Sequence, residues 1–225
     1  MAGQFASESV VNLLRNTQII MKKSAIMLDA GYLKPQLGKA LRSFPTARNV
    51  IDFTNKCIQP DEELFRVYYY DCPPYEGQSI NPISRAQIDF SKTRACNREK
   101  SLQDALAIQD HIAFRKGSLM LKGWVIDENS TRAIIANPRP INDTDLKPDI
   151  KQKLVDMKIG LDVAWLSSKR IVDKIILVTG DSDFIPAMKF ARREGVQIVL
   201  VRVNGKSVKR ELLVHSDETR DVKFP

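Results

Sequence analysis

The sequence predicts one α/β domain built on a mainly parallel sheet with helices on both faces. Three observations lead to this fold class. Short apolar runs alternate with segments of helical pattern, the order that a parallel sheet with crossover helices produces. The 225 residues are 43% apolar, which is enough for a sizeable core. Two of the apolar runs end abruptly on acidic residues, at the position where functional groups gather in such sheets.

The chain divides into a short arm and one domain. Residues 7–22 have a short helical pattern before the first strand, so we assign residues 1–22 to an N-terminal helical arm and residues 23–225 to the domain. The first half of the domain contains, in order, a strand at Ala25–Leu28, one or two helices within 33–58 broken near Pro45, and a strand at 64–71. Residues 72–101 are polar and irregular, and we interpret them as an insertion, which in a compact domain is usually functional or mobile.

The second half of the domain continues the alternation. It contains a helix at 102–115, two strands at 117–126 and 131–137, a long helix at 149–169, a strand from Lys174, a helix at 184–194, a strand at 196–203, and a short helix near 206–214 before an extended terminus. Pro148 stands where the long helix could begin. The strands are therefore expected to lie in one sheet, joined by right-handed crossovers.

Charge and cysteine content narrow the classes of partner. The chain has 35 basic and 27 acidic residues, a formal charge of +8 and a pI near 9.4, which fits a nucleic-acid partner as well as it fits a generally basic protein. Cys57, Cys72 and Cys96 form no CxxC pair, which argues against a disulfide framework or a zinc site and favours a reducing cytoplasm. No apolar run approaches the ~20 residues of a membrane span, so no membrane partner is expected.

Acidic residues follow two of the best strands. Asp29 ends the first, in the segment LDAGY, and Asp181 and Asp183 follow the strand from Lys174, in TGDSDF. A single carboxylate at such a place usually caps the next helix. If the two strands are neighbours, however, three carboxylates meet at one edge and repel one another unless a cation lies among them. Oxygen ligands of this kind suit Mg²⁺ or Mn²⁺.

The long helix supplies a fourth acid, for which two residues compete. Asp156 and Asp162 lie about 120° apart around the helix axis, so both can hardly face one metal ion. We favour Asp156, which lies on the more polar side. Asp162 would instead be a partly buried polar group or would orient a ligand. The main apolar stripe of this helix is expected to consist of Leu154, Met157, Leu161 and Trp165.

Four motifs together resemble a known family. LDAGYL, VYYYDCPP, the KxVDxxxxxD pattern at Lys153–Asp162 and VTGDSDF are similar, in order and spacing across residues 24–215, to the NYN-domain (LabA-like) family of the PIN-like nuclease superfamily. The resemblance implies a Rossmann-like (PIN-like) α/β/α sandwich and a metal-dependent nuclease. It also implies that the metal-binding and catalytic acids are Asp29, Asp156, Asp181 and Asp183.

The resemblance sets an expectation for the chemistry and the substrate. With Mg²⁺ or Mn²⁺ at the acids, phosphodiester hydrolysis requires no histidine or lysine base, and His111 and His215 lie in no motif. Single-stranded RNA is the first choice of substrate on the resemblance alone, because chemistry at phosphate does not separate RNA from DNA. Two residues depart from the family pattern: Tyr32 replaces a common Asn, and Leu154 replaces a Gly that often precedes the VD motif.

Cations near the acids are expected to contact the substrate. The predicted phosphate-binding residues are Lys153, Arg192, Arg193, Lys206 and Lys209, with Lys151 and Arg210 on neighbouring segments. Tyr32 and Trp124 could stack on bases, with core packing the better interpretation for Trp124. Thr179 and Ser182 flank the acids and could bond a carboxylate, a phosphate or the local turn. A homodimer could form through the arm or an exposed strand edge.

Other functions stay open from the sequence. One is a nucleic-acid-binding regulatory protein whose acid site does not turn over, although the intact carboxylates argue against it. Another is a DNA-directed nuclease. A phosphatase with an aspartyl intermediate would need a second acid two residues after Asp29, and that position is Gly31. The chain has no GxxxxGK(S/T) loop and no GxGxxG, which makes nucleotide-dependent functions weak alternatives.

Overall fold

A parallel sheet is the centre of the structure, a computed structural model that describes residues 21–225. The strands are β1 (Lys22–Asp29), β2 (Glu62–Asp71), β3 (Gln78–Ile80), β4 (Gln87–Asp89), β5 (Ile112–Lys116), β6 (Ser118–Ile126), β7 (Leu146–Lys153), β8 (Lys174–Val178), β9 (Gln197–Val203) and β10 (Glu218–Val222). Six of them form the central sheet in the order β10-β9-β8-β1-β2-β5, and every neighbouring pair is parallel. The other four form two antiparallel pairs, β3–β4 and β6–β7.

Helices cover both faces of this sheet. They are α1 (Ala30–Leu41), α2 (Ala47–Cys57), α3 (Arg94–Ala107), α4 (Glu128–Ala136), α5 (Val155–Ser168), α6 (Ile185–Arg193) and α7 (Arg210–Val214). Along β1, Ala25 and Met27 pack with α5, α6 and α7, whereas Ile26 and Leu28 pack with α1, α2 and α3. Both faces of β1 are therefore buried, which explains why its sequence is a continuous apolar run. The predicted α/β/α sandwich with a parallel sheet is confirmed.

The segment predicted as a polar insertion, residues 72–101, contains regular structure. It holds the β3–β4 hairpin and the first half of α3, which begins at Arg94 rather than at residue 102. The Thr93 side chain accepts a hydrogen bond from the Cys96 backbone and caps this helix, a start signal that the polar composition obscured. Residues 112–116, predicted as the end of a helix, form the edge strand β5 because they pair with β2.

The β6–β7 pair corrects two further predictions. Residues 131–137 were expected to form the strand that pairs with 117–126, but they lie mostly in α4, which Asp127 caps by accepting from the Asn129 backbone. The partner of β6 is instead β7, so residues 149–153 are extended and the long helix begins only at Val155. Pairing between segments this far apart in the chain has no local signature.

Helix α5 packs on the sheet with a different side from the one predicted. Its buried residues are Val155, Ile159, Val163, Leu166 and Ser167. The predicted apolar stripe is exposed, with Leu154, Met157, Leu161 and Trp165 between 50% and 64% accessible. The helix is apolar on two sides, and the sheet takes the side whose smaller, β-branched residues allow close approach.

Two predictions concern the ends of the chain and membranes. The predicted arm lies outside the described residues, apart from Met21 and Lys22, where β1 begins. Among residues 21–225, no helix has the length and apolar character needed to cross a bilayer.

Gly117 allows the β6–β7 pair to approach the central sheet closely. A Cβ at this position would lie 2.6 Å from Val155 Cγ2, 2.7 Å from Cys72 Sγ and 2.9 Å from the Lys153 backbone oxygen. We expect Gly117→Ala to lower the free energy of unfolding by about 1–3 kcal/mol, measured by chemical denaturation, because these neighbours are packed and one is backbone. Gly160→Ala is the matched control, since its Cβ meets nothing within 4 Å. It lies inside α5 and should raise stability by up to about 1 kcal/mol. Equal stability of the two variants would contradict this packing argument.

Candidate active site

The acids that follow β1 and β8 meet at one edge of the sheet. The two strands are neighbours, and Leu28 pairs with Val178, so Asp29 and the turn containing Asp181 leave the sheet side by side. Asp29 and Asp181 are half-buried, whereas Asp183 is exposed. The condition on which the sequence prediction depended, that these two strands are adjacent, is met.

Helix α5 brings a fourth carboxylate to the same edge. Asp156 lies in the first turn of α5, directly after β7. Burial raises the pKa of Asp156, and the carboxylates of Asp181 and Asp183 raise it further. Burial also raises the pKa of Asp29; hydrogen bonds from the Tyr32 and Gly31 backbone and from Thr179 oppose the rise, and the charge of Asp156 adds to it. The four predicted acids therefore interact electrostatically, as groups near one another do.

A chain of hydrogen bonds fixes the acids across the two strands. Asp29 Oδ1 accepts from the Tyr32 backbone at 3.3 Å and so caps α1, as a strand-end carboxylate usually does. Its second oxygen, Oδ2, accepts from Thr179 Oγ1 at 3.2 Å, and the same hydroxyl accepts from the Asp181 backbone at 3.1 Å. Asp181 Oδ1 in turn accepts from the Asp183 backbone at 3.1 Å. Thr179 is fully buried, and its hydroxyl links the end of β1 to the turn after β8.

The acids form an unpaired set of oxygen donors. Among residues 21–225, no lysine, arginine or histidine forms an ion pair with Asp29, Asp156, Asp181 or Asp183. In the same part of the chain, no three acidic, histidine or cysteine residues are close enough together to hold a metal ion by themselves. This donor set fits an ion such as Mg²⁺, which keeps several waters and takes only one or two carboxylates directly.

Tyr32 forms one wall of the site. A Cβ at Gly180 would lie 2.7 Å from the Tyr32 ring, so the ring packs directly on the backbone of the acidic turn. Lys206 Nζ lies 5.7 Å from the centre of the same ring. The Tyr32 hydroxyl is buried and has no hydrogen-bond partner within the described chain. Its place in the fold is therefore to shape the site beside Asp29, and stacking on a base would require the ring to leave Gly180.

Two of the predicted cations lie at the acids. A cavity of about 510 Å³ is lined by Asp29, Gly31, Tyr32, Gly180, Asp181, Lys206, Ser207, Val208 and Lys209. Lys209 Nζ donates to Ser182 Oγ at 2.9 Å, which holds this ammonium group over the acidic turn. Lys206 and Lys209 are therefore placed to meet a phosphate that approaches the carboxylates.

The structure does not bring the other predicted cations to this cavity. Helix α6 runs from the acidic turn to the opposite edge of the sheet, so Arg192 and Arg193 lie at the start of β9, and Arg192 Nε binds Asp217 at 2.8 Å. The sequence analysis placed these two arginines beside the acids because it took no account of the length of α6; their part in phosphate binding stays a prediction. Lys153 is the exposed last residue of β7 rather than a helical neighbour of Asp156. Lys151 pairs with Asp149 at 2.9 Å.

Asp162, the rival of Asp156, is bound elsewhere. Its carboxylate accepts from Arg115 Nε at 2.9 Å and Nη2 at 3.3 Å, and from the Tyr70 hydroxyl at 2.9 Å. It thus joins α5 to the face of the sheet over β2 and β5, with its oxygens already occupied.

A lysine near the acids was missed by the sequence analysis. Lys34 Nζ, on α1, donates to Asp71 and Glu99 at 2.8 Å each, and Asp71 is almost fully buried at the end of β2. Burial acts to lower the pKa of Lys34, but the two carboxylates outweigh it and raise the pKa above its usual value. Gln103 Nε2 donates to Asp71 at 3.1 Å. The charge of Asp71 is therefore balanced by Lys34, whereas Asp29, at the end of the adjacent strand β1, has no such partner in the described chain. In the sequence, the only indication of this site was the position of Asp71 directly after the strand segment VYYY.

Two residues singled out in the sequence have local roles. Leu154 immediately precedes α5 with φ of +72°, a left-handed conformation that favours glycine, which gives a physical reason for a Gly at this position in relatives. Trp124 is half-buried on β6, where its Nε1 donates to Ser79 Oγ at 3.1 Å. It holds the β3–β4 hairpin against the β6–β7 pair.

Comparison with known proteins gives a family match and similar solved structures, one of which is described here. The family model of the NYN domain matches residues 75–222, which include Asp156, Asp181 and Asp183 and exclude Asp29. The crystal structure of a protein of unknown function from Vibrio parahaemolyticus is similar over 90% of this chain and 94% of that chain, with a TM-score of 0.50 and 14% sequence identity. This second likeness is one of fold. No curated protein matches the chain.

Proposed function

The chain belongs to the NYN domain family, a family of PIN-like nucleases, and we propose that it uses Mg²⁺ or Mn²⁺ to hydrolyse phosphodiester bonds in single-stranded RNA. The observation that carries the proposal is the set of four carboxylates, without a basic partner in the described chain, at one edge of the parallel sheet. Such a set is costly to keep ionised unless a cation compensates it.

Each acid has a proposed part. Asp29 and Asp181 would hold a divalent ion directly, because hydrogen bonds fix both carboxylates. Asp29 Oδ2 accepts from the Thr179 hydroxyl, and Asp181 Oδ1 accepts from the Asp183 backbone. Asp156 and Asp183 are more exposed and would complete the site through water or around a second ion. When bound, a divalent ion supplies positive charge at the scissile phosphate and lowers the pKa of water. The carboxylates would orient that water, so the proposed chemistry requires no histidine or lysine base.

Lys206 and Lys209 would place the substrate. Their ammonium groups line the same cavity as Asp29 and Asp181 and would bind phosphates on either side of the reacting one. If two phosphates are neutralised on a single strand, the affinity should fall with salt with a slope of about −1.4 on logarithmic axes. RNA rather than DNA follows from the family, since the residues at the acids offer no means of telling the two apart.

Metal removal tests the proposal. Purified protein is incubated with end-labelled single-stranded RNA and DNA of the same sequence in Mg²⁺, Mn²⁺ or EDTA. We expect cleavage of RNA with either metal, recovery when metal is returned after EDTA, and little cleavage of DNA. Cleavage that persists in EDTA would contradict the metal-dependent mechanism. Equal cleavage of DNA would redirect the substrate, and binding without cleavage would favour a regulatory function.

A further inference from the structure

A second cavity adjoins the acids on the side of α1. It has a volume of about 410 Å³, within the roughly 300–1,000 Å³ of small-ligand sites, and we call it the Phe44 cavity. The residues that define it are Gly31, Lys34, Phe44, Arg98, Glu99 and Gln152. It shares the lining residue Gly31 with the cavity that contains Asp29 and Asp181, so the two cavities lie on either side of the same residue.

One wall of the Phe44 cavity is flat and suited to stacking. The guanidinium carbon of Arg98 lies 4.5 Å from the centre of the Phe44 ring, and Pro35 and Pro45 extend the apolar surface. Phe44 is half-buried and Arg98 is exposed, so the pair is open to the cavity. Aromatic rings and guanidinium planes are the surfaces on which single-stranded bases stack.

The other wall presents free polar groups next to the acids. A Cβ on Gly31 would lie 3.2 Å from Asp29 Oδ1 and 3.5 Å from Gln152 Oε1, which places the amide of Gln152 beside the first acid. Within residues 21–225, this amide forms no hydrogen bond, and Glu99 uses only Oε2, toward Lys34. Since Lys34 is held by Asp71 and Glu99, the groups left for a ligand are one amide and one carboxylate oxygen.

We propose that the Phe44 cavity binds one nucleobase of the substrate, and that it favours adenine, cytosine or guanine over uracil; this inference rests on the proposed nuclease function. The base stacks against Phe44 and Arg98 while its edge meets Gln152 and Glu99. An exocyclic amino group can donate to the free oxygen of Glu99. Uracil has no amino group, and its N3–H lies between two carbonyl oxygens that repel a carboxylate. Because Gly31 lines both cavities, the bound base would lie beside the cavity that takes the scissile phosphate.

Binding by the full chain, measured apart from cleavage, tests this inference. The Asp181→Asn chain is titrated with fluorescent oligomers of adenylate, cytidylate and uridylate of one length in Mg²⁺. We expect adenylate and cytidylate to bind about tenfold more tightly than uridylate. Glu99→Gln keeps one oxygen for Lys34 and replaces the free carboxylate oxygen with an amino group, so it should remove most of that difference. Phe44→Ala should weaken all three, with thermal unfolding as the check on folding.

A control variant tests whether the base preference depends on the Phe44 cavity. Glu63→Gln makes the same change at an exposed residue in β2 and should leave the tenfold preference unchanged. Equal binding of the three oligomers, or a preference that survives Glu99→Gln, would overturn the base-binding cavity even if the wild-type chain cleaves RNA. Metal-independent cleavage would overturn the proposed nuclease mechanism, but the base preference in binding could still be measured, so the two proposals can fail separately.

Discussion

Replacing Asp181 with asparagine should lower the rate of RNA cleavage on the order of a thousandfold, because one carboxylate that holds the divalent ion is lost. The substitution keeps the local structure. Asp181 Oδ1 accepts from the Asp183 backbone, and an asparagine oxygen can accept the same bond, so the turn after β8 is retained while the charge is removed. The rate is measured under single-turnover conditions at saturating Mg²⁺, with circular dichroism and thermal unfolding on the same samples.

A matched control separates this effect from a change in net charge. Asp52→Asn makes the same change on α2, where Asp52 is half exposed and its contact with Arg48 is a distant 3.9 Å. We expect its cleavage rate to stay within about twofold of the wild type, because an exposed ion pair of this kind contributes little to stability and lies away from the acids. An Asp181→Asn rate close to that of Asp52→Asn would remove Asp181 from the mechanism.

The same assay distinguishes Asp156 from Asp162. Asp156→Asn should reduce the rate, because its carboxylate interacts with those of Asp181 and Asp183. Asp162→Asn should instead lower the free energy of unfolding, because it removes the charge that pairs with Arg115 and connects α5 to the sheet. A catalytic loss confined to Asp162→Asn would reverse this assignment.

The sequence predicted the part of the site that follows the ends of buried strands. The strands ending in Asp29 and Asp181 are buried on both faces, so they appear as uninterrupted apolar runs with a sharp polar end. Neither run shows which strand lies beside which, and the acids could be placed together only on the condition that β1 and β8 are adjacent. Asp156 was favoured over Asp162 from helix geometry and then from the resemblance, although its helix begins later than the local sequence indicates.

What the sequence did not predict depends on contacts between distant segments. The pairing of β7 with β6 turns residues 146–153 into a strand, and it is β7 that carries Gln152 to the side of Asp29. The contact of Lys34 with Asp71 joins positions 37 residues apart. Tertiary pairing, rather than local propensity, decided both of these cases. The position of Arg192 is different, because its helix was predicted at 184–194 and observed at Ile185–Arg193, and the length of that helix alone carries Arg192 away from the acids.

The opposite edge of the sheet contains a buried ionic network whose disruption should cause the largest loss of stability. Glu62, at the start of β2, accepts from Lys174 Nζ at 2.5 Å and from Arg220 Nη1 and Nη2 at 2.7 and 2.6 Å. All three residues are at most 7% exposed. Glu62→Gln should lower the free energy of unfolding by about 3–5 kcal/mol, because it leaves the two buried cations with only the partly exposed carboxylate of Glu218. Glu63→Gln is the matched control: this neighbour is exposed, and its substitution should change stability by less than about 0.5 kcal/mol.

The pH dependence of stability provides an independent check on Glu62. Burial acts to raise the pKa of Glu62, but hydrogen bonds from Arg220, Lys174 and the Gln59 backbone outweigh it and lower the pKa from 4.5 to about 2. A carboxyl group with a depressed pKa contributes its full stability above the unfolded value, so this contribution is present above about pH 4.5 and is lost as the pH falls toward 2. Denaturation across this range should show a wild-type loss of about 3 kcal/mol from this group, and Glu62→Gln should lack that part of the slope. Parallel curves for the two proteins would mean that Glu62 is not ionised in the folded state, and the Lys174 and Arg220 contacts would then need another source of charge balance.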